Sequence, residues 1–330
     1  YGWHYSTTTS TCTAGMMKIA VIRSPWLNKQ LGQGTQVETL LSGWFGSSNI
    51  TIIDFPNEGP SSNTNDAFVG LLDQDDGTPA FSVLVCPGGN DQRMWTSIAH
   101  PQIARAQIRE FVARGGGFVG VCAGMCLASQ GYWDIEGRLP VEKRERQKQF
   151  QYFPALFPAE LKNLHRLRRT TLNWNSSLPT THPMYVALPP TTTTTTSGSA
   201  LVGARFNDGN IVTEPPPCGT ELLLRCTRDE PWNAATTTTK KNEDDDSTSI
   251  DGGTASNFDP RTHGSLEGDW VSIAFIDPDN PTAGRLCLDG WHPESIHTPH
   301  CHAWLRAEVE YAASRYDEVR AAATAAAAAI

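Results

Sequence analysis

The chain has 330 residues, of which 39% are hydrophobic and 18% are charged, and its formal net charge is −9. This length and apolar content are typical of a folded globular protein with a sizeable buried core. The acidic balance, with no dominant basic stripe, argues against a nucleic-acid partner. No run of about 18 apolar residues is present in the sequence, so we expect no membrane span.

The chain start and the cysteines bear on location. Residues 1–16 are rich in Ser and Thr, and we expect a disordered or processed tail there. The eight cysteines show no disulfide framework, which favours a reducing intracellular environment. We therefore predict a cytoplasmic location. A mitochondrial or other organellar location is the alternative, because residues 1–15 are also compatible with a presequence remnant, although they lack arginines.

Strands and helices alternate in the first half of the sequence. Short apolar runs predict buried strands at residues 18–23, 49–55, 81–86 and 118–121. Helical spacing of apolar residues predicts helices at 35–45, 66–72, 101–114 and from 122 to 129. This alternation predicts a three-layer α/β fold, in which helices cover both faces of a mostly parallel central sheet. Ligands of such sheets bind beyond the carboxyl ends of the strands.

The second half is less regular. Residues 201–206 and 210–213 predict a hairpin around Asn207-Asp208-Gly209, and further strands are predicted at 221–227, 270–276 and 285–288. Low-complexity segments near 190–198 and 234–258 are predicted to be solvated insertions. We therefore expect a tail over 1–16, one α/β domain over 17–303 and a C-terminal helix over 304–330.

The strongest chemical motif is GGGFVGVCAGMCLAS at residues 115–129. An apolar strand leads into Gly120-Val121-Cys122-Ala123-Gly124, and a helix follows directly. Small residues around one nucleophile allow a tight strand-to-helix turn that lifts the side chain out of the sheet. A following helix would favour the thiolate form of Cys122. The alternative is that the glycines serve only helix–sheet packing.

Two further motifs follow apolar strands. Pro87-Gly88-Gly89 would let backbone N–H groups approach an oxyanion together with the N–H of Ala123. Gly290-Trp291-His292-Pro293-Glu294 supplies a base and a carboxylate two residues apart, which an extended segment places on the same side. A thiol nucleophile needs such a base, and the base needs an orienting carboxylate.

These three motifs, in this order, resemble the class I glutamine amidotransferase superfamily, which has a flavodoxin-like sheet. CPGGNDQRMW, RGGGFVGVCAG and GWHPE are most similar to one branch, the N-terminal domain of biotin-protein ligases and its stand-alone forms. The resemblance implies that Cys122 is the nucleophile, His292 the base and Glu294 the orienting group. It implies an oxyanion hole of Gly88, Gly89 and Ala123, and a pocket lined by Asn90, Gly124, Cys126 and Trp291.

One position departs from the superfamily pattern. Glutaminases usually carry Gln four residues after the nucleophile, and this chain has Cys126 there. The substrate is therefore not assigned as glutamine by the resemblance. Cys122 and Cys126 could also form a redox pair, but one helical turn would strain the bridge.

A cluster of His292, His297, His300, Cys301 and His302 raises two alternatives to a purely catalytic role. A zinc site would use the spacing of His297 and Cys301 if that segment were helical, which Pro293 and Pro299 argue against. A His-rich loop at the rim of the site is the other alternative. We expect no metal and no organic cofactor.

Two functions remain after these motifs. The first is a cysteine-dependent amidohydrolase or glutaminase-like enzyme that cleaves a C–N amide bond through a thioester on Cys122. Its expected partner is a small-molecule amide substrate. The second is a non-catalytic binding or assembly subunit, with a protein partner or a larger assembly, that retains the amidotransferase fold.

Overall fold

The computed structural model describes residues 17–23, 33–54, 68, 70–73, 75–89, 101–134, 154–163, 168–175, 178–187, 200–207, 210–212, 215–228, 269–295 and 299–328. Its strands are β1 Ile19–Arg23, β2 Ile50–Asp54, β3 Val83–Cys86, β4 Gly117–Val121, β5 Ser129–Asp134, β6 Phe157–Asn163, β7 Arg168–Asn175, β8 Ala200–Asn207, β9 Asn210–Val212, β10 Thr220–Arg228, β11 Trp270–Phe275 and β12 Leu286–Asp289. Its helices are α1 Gln33–Phe45, α2 Pro101–Ala113, α3 Ala123–Ala128 and α4 Pro299–Ala328.

The sheet has a parallel part that continues into an antiparallel part. The strand order is β2-β1-β3-β4-β12-β11-β10-β7-β8. All neighbours from β2 to β12 are parallel, and from β12 onwards the neighbours are antiparallel. Strands β5, β6 and β9 attach to this path through β11. The predicted three-layer α/β fold with a mostly parallel central sheet is confirmed. The strand direction changes between β12, the last strand of the parallel part, and β11.

Alternate side chains of the parallel strands point to opposite faces, as a strand requires. Ile19 and Val21 of β1 pack on one face with residues of α1 and α4, such as Leu41 and Val309. Ala20 and Ile22 pack on the other face with residues of α2 and α3. Both faces are therefore buried, which explains why these strands are continuously apolar in the sequence.

The predicted hairpin at residues 201–213 is wrong. Strand β8 pairs with β7, whereas β9 pairs with β6 and β11. The turn residues signalled a change of direction, but pairing partners are set by contacts with strands far away in the sequence. The C-terminal helix begins at Pro299, earlier than predicted, because proline fits the first turn of a helix.

Several predictions fall outside the described residues. They concern the tail over 1–16, the insertions near 190–198 and 234–258, and three residues of the helix predicted at 66–72. The last described residues of that segment form a turn and a bridge from Leu72 to Pro79, so a helix as far as residue 72 is wrong. Among the described helices, none combines the length and the apolar character needed to cross a membrane.

Candidate active site

Cys122 lies in the tight turn between β4 and α3. Its backbone has φ 49° and ψ −101°, a conformation that non-glycine residues rarely adopt. Two backbone hydrogen bonds hold the turn: Cys122 N–H donates to the carbonyl of Asp289 at 2.7 Å, and Cys126 N–H donates to the carbonyl of Cys122 at 3.1 Å. Such a strained conformation persists only where the surrounding structure enforces it, and it is frequent at functional sites.

Gly124 allows this turn to pack against the neighbouring strand. A Cβ atom at this position would lie 2.1 Å from the carbonyl oxygen of Cys86, at the end of β3. Because that neighbour is backbone, it cannot move aside as a flexible side chain would. The small residue next to Cys122 is therefore a packing requirement of the turn, which accounts for part of the sequence motif.

His292 and Glu294 follow β12 and lie in and beside a short 3-10 turn, Pro293–Ser295. Nδ1 of His292 and Oε1 of Glu294 are 2.9 Å apart, so the Nδ1–H donates to the carboxylate. Both side chains are buried, with exposed fractions of 1% and 0%. A carboxylate at this distance fixes the orientation of the imidazole ring and favours its protonated form.

The structure brings His292 and Cys122 together. Burial lowers the pKa of His292, but the charges of Cys122 and Glu294 and hydrogen bonds to both side chains raise it by more. The net result is a pKa well above the ordinary histidine value. Cys122 is one of the causes of this shift and the backbone of Gly88 borders both side chains, so Cys122 and His292 are neighbours. The arrangement favours the protonated form of the His292 imidazole.

Gly88 borders both side chains. A Cβ atom at this position would lie 2.8 Å from Cε1 and 3.1 Å from Nδ1 of His292, and 3.2 Å from Cβ of Cys122. The backbone of Gly88 therefore forms a wall of the space that His292 and Cys122 share. Only a residue without a side chain fits there unless the neighbours shift.

Asp289 connects the two halves of the site. It is the last residue of β12, and its neighbours across the sheet are Val121 of β4 and Ser272 of β11. Oδ1 of Asp289 accepts a short hydrogen bond from the Ser272 hydroxyl. Trp291 Nε1–H lies 2.9 Å from Ser272 Oγ and 3.2 Å from Asp289 Oδ1, so it donates to both.

Glu308 of α4 is a second buried acid beside Asp289. Burial, followed by the charge of Asp289 and a hydrogen bond to it, raises the pKa of Glu308 well above the usual glutamate value. Burial also raises the pKa of Asp289, to about 6, although Ser272 and Trp291 oppose this shift. Within the described residues, Asp289 Oδ2 and both oxygens of Glu308 have no hydrogen bond of normal geometry, so their mutual contact is longer or less well aligned than usual.

The remaining predicted site residues lie as follows. Gly89 follows Gly88 and is exposed, with φ 153°, and Ala123 is the first residue of α3. Cys126 lies one helical turn after Cys122 and is 4% exposed. Trp291 is completely buried and contacts Ser272 and Asp289, whereas Asn90 is outside the described residues.

The sequence reasoning did not identify Ser272, Asp289 or Glu308. A signal was present for two of them. Asp289 ends an apolar strand immediately before the Gly290–Glu294 motif, and Glu308 lies four residues after Trp304, on the helix face that Leu305 and Val309 bury. A charged residue on a buried face is unusual enough to be examined as a paired or protonated group.

A metal centre has no support from the described part of the chain, where no group of three or more His, Cys, Asp or Glu side chains is suitably arranged. His297 lies outside the described residues, whereas Cys301 is buried within α4.

Comparison with known protein families gives a match over the segment that contains the turn at Cys122. Residues 69–156 match the family model described as "Biotin-protein ligase, N terminal". The resemblance predicted from the motifs is confirmed for this segment. It covers about a quarter of the chain, including Gly88 and Cys122 but not His292. No curated protein matches the chain.

Two solved structures are similar to the chain. One is a crystal structure of a glutamine amidotransferase, with 12% sequence identity and a TM-score of 0.43, covering 88% of this chain and 98% of the other. Another is a protein described as a GMP synthase subunit, from Thermoplasma acidophilum, with 13% identity and a TM-score of 0.46, covering 92% of this chain and 98% of the other. At these values neither likeness bears on the chemistry of this chain.

Proposed function

We propose that this protein is a cysteine-dependent amidohydrolase of the amidotransferase type, which cleaves a C–N amide bond through a thioester on Cys122. The single observation that carries the proposal is that Cys122 and His292 border the same glycine, Gly88, while Nδ1 of His292 lies 2.9 Å from the buried carboxylate of Glu294. A nucleophile, a base and an orienting group in this order are the requirements of acyl transfer by a thiol.

The reaction begins with attack of the Cys122 sulfur on the amide carbonyl carbon. A C–S bond forms and the carbonyl electrons move to oxygen, giving a tetrahedral oxyanion. Backbone N–H groups at Gly88, Gly89 and Ala123 are the proposed donors to this oxyanion. When the intermediate collapses, the C–N bond breaks and the protonated His292 gives its proton to the departing amine.

Hydrolysis of the thioester completes the cycle. His292 takes a proton from water, and the resulting hydroxide adds to the thioester carbon. The second tetrahedral intermediate collapses with cleavage of the C–S bond, which releases a carboxylic acid and restores the sulfur and imidazole pair. Glu294 keeps the ring oriented through both proton transfers, because its hydrogen bond is to Nδ1 and leaves the other nitrogen for the reacting groups.

The proposed substrate is a small amide, and glutamine is not preferred over others. The position where glutaminases usually carry Gln is Cys126, which is buried and has no side-chain amide to bind a substrate. A side chain at position 88 would meet His292, so the space beside the imidazole is bordered there by bare backbone. This favours an unhindered amide carbonyl.

The direct test is selective modification of Cys122. Iodoacetamide at pH 7 should label Cys122 at least tenfold faster than the exposed Cys218, when both are followed by peptide mass spectrometry. His292→Ala should remove this advantage, and incubation with candidate amides should give an acyl adduct on Cys122 in the intact protein. Equal labelling of the two cysteines, unaffected by His292→Ala, would instead identify a non-catalytic binding or assembly subunit.

A further inference from the structure

Asp289 touches both halves of the candidate site, and the role inferred here rests on the proposed function. Its backbone carbonyl accepts the N–H of Cys122 at 2.7 Å. Its side chain accepts from Trp291, the residue immediately before His292. The strand register causes both contacts, because β12 lies between β4 and β11 and places Asp289 beside Val121 and Ser272. One residue thus links the turn of the nucleophile to the turn of the base.

The side-chain contacts of Asp289 are shielded from water. Ser272 and Trp291 are completely buried and Asp289 is 1% exposed. Buried hydrogen bonds to a carboxylate are stronger than those in water, and a donor that loses its acceptor there is costly to the fold. The indole of Trp291 is consequently held in one position. The N–H of Gly290 also donates to the carbonyl of Val271 at 2.7 Å, so the turn is anchored on both sides of Asp289.

Glu308 explains how a carboxylate is retained at this depth. Two donors, Ser272 and Trp291, converge on Oδ1 of Asp289, and they stabilise negative charge there. Glu308 faces the same carboxylate with one such donor, the indole of Trp304, and Glu294 adds a further negative charge nearby. Like charges in a buried site cannot all remain ionised. The arrangement therefore places the proton of the Asp289–Glu308 pair on Glu308.

We propose that Asp289 is a positioning residue for His292. The ionised carboxylate of Asp289 fixes Trp291 and Ser272, and the neutral side chain of Glu308, on helix α4, lies beside this carboxylate and supports it. The carboxylate acts through its hydrogen bonds to Ser272 and Trp291. It holds the Gly290–Glu294 turn against β11, so that the imidazole stays on Cys122. The alternative is that Asp289, Ser272 and Trp291 only complete the core, in which case their loss would affect stability but not the proton equilibria at Cys122.

The test compares Asp289→Asn with Glu308→Gln in the full chain. The measured quantity is the ratio of iodoacetamide labelling rates of Cys122 and Cys218 from pH 5.5 to 9. Asp289→Asn should lower the ratio about tenfold at pH 6.5 and make the pH dependence of Cys122 approach that of Cys218, because a displaced imidazole no longer stabilises the sulfur anion. Glu308→Gln keeps a neutral donor, so its ratio should stay within about threefold of the wild type.

Controls separate positioning from folding and name the titratable neighbours. The titratable groups that face Asp289 are Glu294, Glu308 and Cys287. The matched control is Glu310→Gln, which alters an exposed carboxyl that also lies on α4 and is paired with Arg306. If Asp289→Asn does not fold, Trp291→Phe keeps an aromatic side chain but removes the N–H donor together with part of the buried indole, so chemical denaturation accompanies the labelling measurement. Trp291→Phe should give a smaller loss with the same change in pH dependence.

Three outcomes overturn the inference. An Asp289→Asn or Trp291→Phe protein with the labelling ratio and pH dependence of the wild type shows that the network is only core packing. If Glu308→Gln lowers the labelling ratio as much as Asp289→Asn does, the required negative charge is on Glu308. If Cys122 is labelled at the same rate in the wild type and in His292→Ala, the proposed function itself fails and no base remains to be positioned. If only the positioning role fails, labelling of Cys122 is still slower in His292→Ala than in the wild type.

Discussion

The backbone of Gly88 lies against the imidazole of His292 so closely that a Cβ atom would come within 2.8 Å of Cε1. The same atom would be 3.2 Å from Cβ of Cys122. These distances are shorter than normal carbon contacts, so any side chain at position 88 would displace the ring, the cysteine or the loop itself. The Pro-Gly-Gly motif thus has a steric reason in addition to its proposed role in holding an oxyanion.

Gly88→Ala is expected to reduce the rate of Cys122 labelling by about tenfold or more, since small displacements of reacting groups are costly. The labelling ratio of Cys122 to Cys218 measures the effect. Gly43→Ala is the matched control, because a Cβ atom there has no neighbour within 4 Å. Unchanged labelling in Gly88→Ala would show that the loop yields without disturbing His292.

Glu294→Gln is expected to lower the pKa of His292. Burial lowers this pKa in the wild type, and the charges of Cys122 and Glu294 raise it well above its ordinary value. A neutral amide removes one of these charges, so the imidazole should lose its proton at a lower pH. Nitrogen NMR of the ring in both proteins measures the change, and Cys122→Ser should lower the pKa in the same direction.

The stability of the wild type should also depend on this pair. A histidine whose pKa is raised on folding contributes stability that is fully present below the unfolded value, about 6.5, and lost as the pH rises through the folded value. Denaturant titrations of the wild type and Glu294→Gln should therefore differ in their pH dependence above about pH 6.5. Parallel curves would argue against an ionised His292–Glu294 pair.

The stability of the wild type is expected to fall as the pH rises to neutral and alkaline values, and Glu308→Gln is expected to abolish this fall. Burial, with the neighbouring charge of Asp289, raises the pKa of Glu308. The folded protein then holds a proton that the unfolded chain releases above about pH 4.3, and stability falls with rising pH by up to about 1.4 kcal/mol per pH unit. Wild type and variant should be alike near pH 4 and diverge above it.

The free energy of unfolding from pH 4 to 8 measures this divergence. Glu310→Gln serves as the control, because that carboxyl is exposed and belongs to a surface ion pair with Arg306. A constant difference between wild type and Glu308→Gln across the range would mean that Glu308 is ionised in the folded protein.

Gly124→Ala is expected to destabilise the protein by about 1–3 kcal/mol, as overpacking of a well-packed interior does. The added carbon would meet the backbone oxygen of Cys86 at 2.1 Å and force β3 and α3 apart. Chemical denaturation measures the loss. Gly43→Ala should instead raise stability by up to about 1 kcal/mol, since it replaces glycine inside a helix, and equal effects of the two variants would contradict the packing argument.

The parallel strands and helices α1 and α2 could be predicted from the sequence because each has one dominant pattern. The apolar runs at β1, β3 and β4 are continuous, and the apolar positions of α2 repeat with helical spacing. The strand partners in the second half could not be predicted. Strand β9, at residues 210–212, pairs with β11, which lies far along the chain. The choice of this partner depends on the packing of the whole sheet and not on a local pattern.

The motif residues Cys122, His292 and Glu294 could be predicted because each follows an apolar strand of the same sheet. The network behind them could not. Ser272 and Asp289 become neighbours only through the register of β11 and β12, which no local pattern specifies. Glutamate is usually exposed to solvent, and the burial of Glu308 depends on the way α4 packs against the sheet.

Strands β4 and β12 are bonded neighbours, although most of the second half of the chain separates them in the sequence. The distance between sulfur and imidazole is therefore set by a local ladder of hydrogen bonds and not by the length of the intervening polypeptide. A change of length in a loop that lies between the two strands in the sequence should therefore leave the positions of Cys122 and His292 unchanged.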